Sequence, residues 1–108
     1  MTLSEYQEQA LQTAVYPEGV ALAYTTMGLV GEAGEIANKV KKIYRDNNGV
    51  ITDEHEQEIA KELGDVLWYI AAIAYEIGFK LDDVALMNLK KLNSRKQRGV
   101  IAGDGDNR

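Results

Sequence analysis

The run Val66–Tyr75, VLWYIAAIAY, leaves this chain few ways to fold. Wound as a helix it is apolar on every face, so it belongs in the middle of a bundle or at a subunit interface. It is too short to cross a bilayer and has the length of a buried core helix. Glu62 and Asp65 stand immediately before it, spaced i, i+3, so one helix presents both to the same side. Carboxylates at the rim of a core are costly unless they are paired or bind a metal.

The spacing recurs upstream. Met27–Lys42, MGLVGEAGEIANKVKK, carries Glu32 and Glu35, again i, i+3. Two helices that each turn two carboxylates to one side can converge on a divalent cation, and hard cations such as Mg²⁺ take oxygen ligands. The expected centre of the protein is therefore a metal site of Glu32, Glu35, Glu62 and Asp65.

The rest of the chain fits an all-α domain. It has one proline and little β-branched alternation, and 108 residues suffice for one modest core. The first helix is expected from about Ser4 to Ala14, with Ser4 as N-cap and Gln7 three residues on. The second runs from about Val20 to Tyr44 and stops at the turn-rich Asp46-Asn47-Asn48-Gly49. The third starts near Thr52 or Asp53, with Asp53 and Glu56 at capping-box spacing, and ends near Gly78. The fourth runs from Asp82 or Asp83 to Arg98. Residues 1–98 thus form the helical domain, and 99–108 a tail without regular structure. Gly28, Gly31 and Gly34 share one stripe of the second helix, permitting close approach by another helix or by a ligand.

Several function classes are disfavoured. The net charge of −5 argues against binding a nucleic-acid polymer through counterion release. A small anionic ligand stays open if metal or a local basic cluster supplies cations, and Lys90, Lys91, Arg95, Lys96 and Arg98 form such a cluster. With no cysteine, disulfides and thiolate metal sites are excluded. The opening MTLSEYQEQ lacks the features of a signal peptide, so the expected compartment is the cytoplasm, with no membrane partner.

These motifs, taken in order, resemble one family. GEAGEIANKVKK followed by KELGDVLWYIAAIA is similar to the paired E-x-x-E and E-x-x-D signature of the MazG-like, all-α NTP pyrophosphohydrolases. Asn88, Lys91, Leu92 and Arg95 resemble that family's N-x-x-K-L-x-x-R element, and GVIAGDGDNR resembles the ending of its small single-domain members. The four acidic positions show no departure from the pattern. The resemblance implies a four-helix-bundle-like fold that assembles as a dimer or a dimer of dimers. It implies hydrolysis of a nucleoside triphosphate between the α and β phosphates, with Mg²⁺ as cofactor and Mn²⁺ as a substitute, in nucleotide-pool house-cleaning.

Within that reading Glu32, Glu35, Glu62 and Asp65 hold the metal and do the catalysis, and either Glu32 or Glu35 serves as general base. Lys39, Lys91 and Arg95 are candidates to neutralise phosphate oxygens, and Asn88 to bond the sugar or a phosphate. Tyr69, with Trp68, is placed to stack on a base, as are Tyr6 and Gln7 to face it. Asp104, Asp106 or Arg108 of the tail would join if it folds over the site. Plainer roles exist for each. Helical carboxylate pairs are ordinarily solvated, Lys39 is i, i+4 from Glu35, Trp68 suits a core, and His55 suits a helix cap. Two other functions fit the same residues: an all-α dUTPase-like enzyme restricted to uracil, and a non-catalytic acidic module that binds a partner. A di-iron bundle does not fit, because its Glu-x-x-His motifs are missing.

Overall fold

The computed structural model describes residues 1–108, and the chain is helical throughout its folded part: α1 (Leu3–Ala10), α2 (Ala21–Asn47), α3 (Asp53–Glu76) and α4 (Leu81–Arg98). Single 3₁₀ turns at Leu11–Thr13 and Glu18–Val20 carry the chain from α1 to α2 around Pro17. The expected all-α class holds.

Each helix begins and ends for local reasons. The N-cap of α1 is Thr2, two residues before the expected Ser4. Its hydroxyl accepts from Glu5 N–H at 3.0 Å while Glu5 Oε1 accepts from Thr2 N–H at 3.4 Å. Ser4 instead ties α1 to α4: its hydroxyl accepts from Asp82 N–H at 3.1 Å, and its own N–H donates to Asp82 Oδ1 at 3.3 Å. Thr52, not Asp53, caps α3, with His55 Nδ1 returning the bond to Thr52 N–H at 3.1 Å. His55 is thus the cap neighbour its position suggested. Past the end of α3, Gly78 takes φ 82°, and Phe79 N–H reaches back to Ala74 O at 2.8 Å. That left-handed turn, unfavourable for a residue with a Cβ, swings the chain directly into α4.

α2 and α3 form a long antiparallel hairpin. Gly28 lies opposite Tyr69, Glu32 opposite Asp65, and Lys39 opposite Glu58. Moving four residues along α2 therefore moves the partner four residues back along α3. α1 and α4 pack on the C-terminal half of α3, where Ala71, Ala74 and Leu81 form a small core with Tyr6, Leu67 and Val84 against it. Gln7 locks this junction. It is buried, its Nε2 donates to Ala71 O and Phe79 O, both at 3.1 Å, and its Oε1 accepts from Leu81 N–H at 3.0 Å. Gln7 is therefore a structural clasp joining three helices, because a buried amide must spend its donors and acceptor on backbone. The sequence-based placement of Gln7 beside a nucleotide base does not survive that bonding.

The chain by itself is not a closed bundle. Only nine residues are buried. Leu22, Met27 and Val30 on α2, Leu63 and Ile70 on α3, and Leu86, Met87 and Leu89 on α4 are exposed. The radius of gyration is 16.8 Å, against about 13 Å for a compact domain of this length. Val66–Tyr75 shows the same shortfall: Ala71, Ala72 and Ala74 are buried, but Tyr75 remains 61% exposed.

Candidate metal and nucleotide site

The stripe Tyr24, Gly28, Glu32 on α2 faces Tyr69, Asp65 and Glu62 on α3. Where the helices come closest, the Tyr69 ring rests on the backbone of Gly28 and occupies the space of a Cβ. No such neighbour approaches Gly31 or Gly34, so within the chain the close-packing role of the glycine stripe falls on Gly28 alone.

One helical turn beyond that contact, carboxylate oxygens of Glu32, Glu62 and Asp65 all lie within 4.8 Å of one another. Octahedral ligands about 2.1 Å from Mg²⁺ sit about 3–4 Å apart, so this spacing suits one small divalent cation. Glu32 and Glu62 are half-buried and Asp65 is exposed. The ion pairs of the chain are Lys39–Glu58, Arg45–Asp46, Lys91–Asp106 and Arg95–Asp106, so none of the three carboxylates has a cationic side chain as partner. Their mutual repulsion shows in Glu32. Burial first, then the charge of Asp65, the hydrogen bond and charge of Glu62, and the charge of Glu35 all raise its carboxyl above the usual range. Glu35, the fourth expected member, is exposed and stands outside the group of three while its charge still reaches Glu32.

Aromatic side chains wall the site. Glu32, Asp65, Trp68 and Tyr69 line a hollow of ≈ 320 Å³. Trp68 meets Tyr69 edge to face at 5.0 Å and Tyr16 at 6.3 Å, and Tyr16 stacks on Tyr24 at 5.7 Å. Trp68 Nε1 donates to Ala10 O at 3.1 Å and to Thr13 Oγ1 at 2.9 Å, which fixes the indole against the end of α1. Trp68 thus packs structurally while also bordering the hollow. Burial raises the Tyr69 phenol, as do Tyr24 and Glu32 beside it. Tyr16 donates to Glu76 Oε2 at 2.7 Å, and its phenol is pushed up to about 12 by burial and by that carboxylate. Neither Tyr16 nor Tyr24 is among the residues that motif spacing singles out, although the i, i+4, i+8 spacing of Tyr24, Gly28 and Glu32 already puts Tyr24 on the site's stripe.

The expected phosphate-binding cations engage other partners. Lys39 Nζ pairs with Glu58 at 3.7 Å across the hairpin rather than with Glu35. Asn88 and Lys91 border a separate, largely apolar hollow of ≈ 390 Å³ with Ile77, Phe79, Val84 and Met87. Lys91 Nζ donates to Asp106 Oδ1 at 2.9 Å, and Arg95 Nη2 donates to Asp106 O at 2.8 Å and Oδ1 at 3.3 Å. The tail therefore folds back on α4 and engages both cations. Tyr6 packs on the Ala71–Leu81 core, close enough to Asp65 for that charge to raise its phenol after burial has done so.

Residues 22–100 match the MazG nucleotide pyrophosphohydrolase domain. The chain belongs to that family. The matched span contains nearly all of α2, the whole of α3 and α4, and all the carboxylates of the site. The "Gene 37 protein" of Mycobacterium phage L5 is 55% identical to this chain and covers all of it, as the chain covers all of that protein. No solved structure matches. Membership of the MazG family agrees with the all-helical architecture and points to a nucleotide as the substrate class. No helix is long and apolar enough to cross a membrane.

Proposed function

We propose that the chain is a Mg²⁺-dependent nucleoside triphosphate pyrophosphohydrolase that cleaves between the α and β phosphates and clears unwanted nucleotides from the cytoplasmic pool. The observation that carries this reading is the convergence of Glu32, Glu62 and Asp65 without a cationic partner, in a chain of the MazG family. Three ionised carboxylates repel one another and a triphosphate alike, so the arrangement suits a substrate that arrives with metal. When bound, Mg²⁺ (or Mn²⁺ in its place) would supply positive charge against the carboxylates and phosphates and would make water more acidic.

The protein's own groups then have separate tasks. Glu32, Glu62 and Asp65 hold the cation. Glu35, outside that group but within reach of its field, is the general base. Water adds to the α phosphorus and gives a proton to Glu35. The bond from that phosphorus to the bridging oxygen breaks, and pyrophosphate leaves with the electron pair. Trp68 and Tyr69 stack on the base and exclude water from that side. Lys91 and Arg95 bind phosphate oxygens. They do so in a homodimer, or a dimer of dimers, in which the exposed apolar faces of α2, α3 and α4 are covered by a second copy. The uncovered apolar side chains and the open shape support that assembly.

A panel of ribo- and deoxyribonucleoside triphosphates, assayed for pyrophosphate with Mg²⁺ and with chelator, tests the proposal. Release with Mg²⁺ is expected from at least one nucleotide, falling ~100-fold or more in Glu62→Gln. Release from dUTP alone would make the enzyme dUTPase-like. No release from any nucleotide by folded protein would leave a binding module.

A further inference from the structure

The tail beyond Arg98 lies almost wholly outside the span shared with the MazG domain, yet it is built to do one thing. It closes on itself around Arg108, whose guanidinium donates to the carbonyls of Ile101 at 2.9 Å, Val100 at 3.1 Å and Gly105. Arg98 holds the other end by donating to Arg108 O. The loop so formed presents Asp106 to Lys91 and Arg95, and both cations hold its carboxyl below the usual range, Lys91 foremost.

Arg95 is only 6% exposed, and a buried guanidinium needs acceptors for its donors. Asp106 satisfies Nη2 through two oxygens, but Nε of Arg95 is buried with no acceptor at all. A planar carboxylate with one oxygen on the pair leaves that donor idle. A tetrahedral phosphate carries more oxygens and more charge, and so fits three convergent donors better. The Asp106 carboxylate is also loosely anchored. Its side chain is 80% exposed, and its pair with the exposed Lys91 is of the weak kind that salt screens.

We infer that Asp106 is an internal stand-in for a substrate phosphate. It occupies the Lys91–Arg95 pair in the resting protein, and a phosphate group must displace it, so the tail competes with phosphate ligands. The inference rests on the proposed function for the identity of the natural ligand, but the anion site itself does not need turnover. Apparent affinity scales with the fraction of molecules whose tail is open.

Calorimetric titration of the full-length chain with inorganic pyrophosphate, in chelator without Mg²⁺, is the test. Asp106→Asn is expected to bind about fivefold more tightly or better, and Asp106→Glu, which keeps the charge, to stay within about twofold of wild type. Lys91→Ala is expected to lose the gain when combined with Asp106→Asn. Helical circular dichroism should be the same for all, since Asp106 lies on the surface. Equal or weaker pyrophosphate binding by Asp106→Asn would overturn the inference even if the enzyme hydrolyses triphosphates. Tighter binding by Asp106→Asn in a chain that hydrolyses none would uphold it and remove the catalytic reading instead.

Discussion

The Tyr69 ring lies on the backbone of Gly28, in the space any side chain at that position would fill. This contact sets the distance between α2 and α3 one turn before Glu32 meets Asp65. The register of the site therefore depends on a glycine and a ring that are not themselves members of the carboxylate group.

Gly28→Ala forces the ring aside. The expected cost is about 1–3 kcal/mol, the range for overpacking a filled site, read as a lower melting temperature. Gly34→Ala serves as the control, because nothing lies within 4 Å of its missing Cβ. There the better helix propensity of alanine is worth up to about 1 kcal/mol. Equal melting temperatures for Gly28→Ala and wild type would show that Tyr69 does not set the helix spacing.

Gln7→Leu keeps the volume of the clasp and deletes its three hydrogen bonds. Leaving the Leu81 N–H buried without an acceptor is expected to cost about 2 kcal/mol or more. The urea midpoint should fall at constant slope. A midpoint within error of wild type would mean that α1, α3 and α4 are joined by apolar packing alone.

Helical periodicity is a local property, which is why Glu32, Glu62 and Asp65 are legible in the amino-acid sequence, as are the four helices and the cap position of His55. Partners chosen by the tertiary fold are not. Thr2, Ser4 and Glu5 contain two plausible caps for α1, and only the nearness of Asp82 shows that Ser4 is used between helices. Lys39 is i, i+4 from Glu35, yet the hairpin register delivers it to Glu58. The spacing of Lys91 and Arg95 suits phosphate ligands and gives no sign that Asp106 reaches them. Gln7 is polar in a polar helix, and its burial follows from where α3 and α4 meet.

Proton and metal should compete at the carboxylates. Glu32 has its carboxyl raised in the folded protein, so without metal the native state binds that proton more tightly than the unfolded chain does. From this group, stability rises as pH falls through the raised range and is lost as pH climbs above it. Mg²⁺ requires the ionised form. It should raise the melting temperature at neutral pH, by RT ln(1 + [Mg²⁺]/Kd) in free energy. The increment should shrink as pH falls through the carboxyl range. An increment that grows toward acid would contradict the assignment of Glu32 as a ligand.

Tyr16 governs an alkaline limit. With its phenol at about 12 in the folded state and unfolded tyrosine at about 10, its contribution is complete below the lower value and is lost as pH rises toward the upper. Tyr6 and Tyr69 shift the same way. Tyr16→Phe should lower stability by about 1 kcal/mol at neutral pH through loss of the bond to Glu76, and flatten the alkaline decline. Identical alkaline unfolding curves for the two proteins would place that decline on other groups.

Hydrolysis in water labelled with heavy oxygen, with products weighed by mass spectrometry, tests the proposed chemistry most directly. Attack at the α phosphorus under control of Glu32, Glu62 and Asp65 predicts label in the nucleoside monophosphate, unlabelled pyrophosphate, and no orthophosphate. The reaction should stop with chelator and in Asp65→Asn. Label in pyrophosphate or orthophosphate, or undiminished turnover by Asp65→Asn, would contradict it.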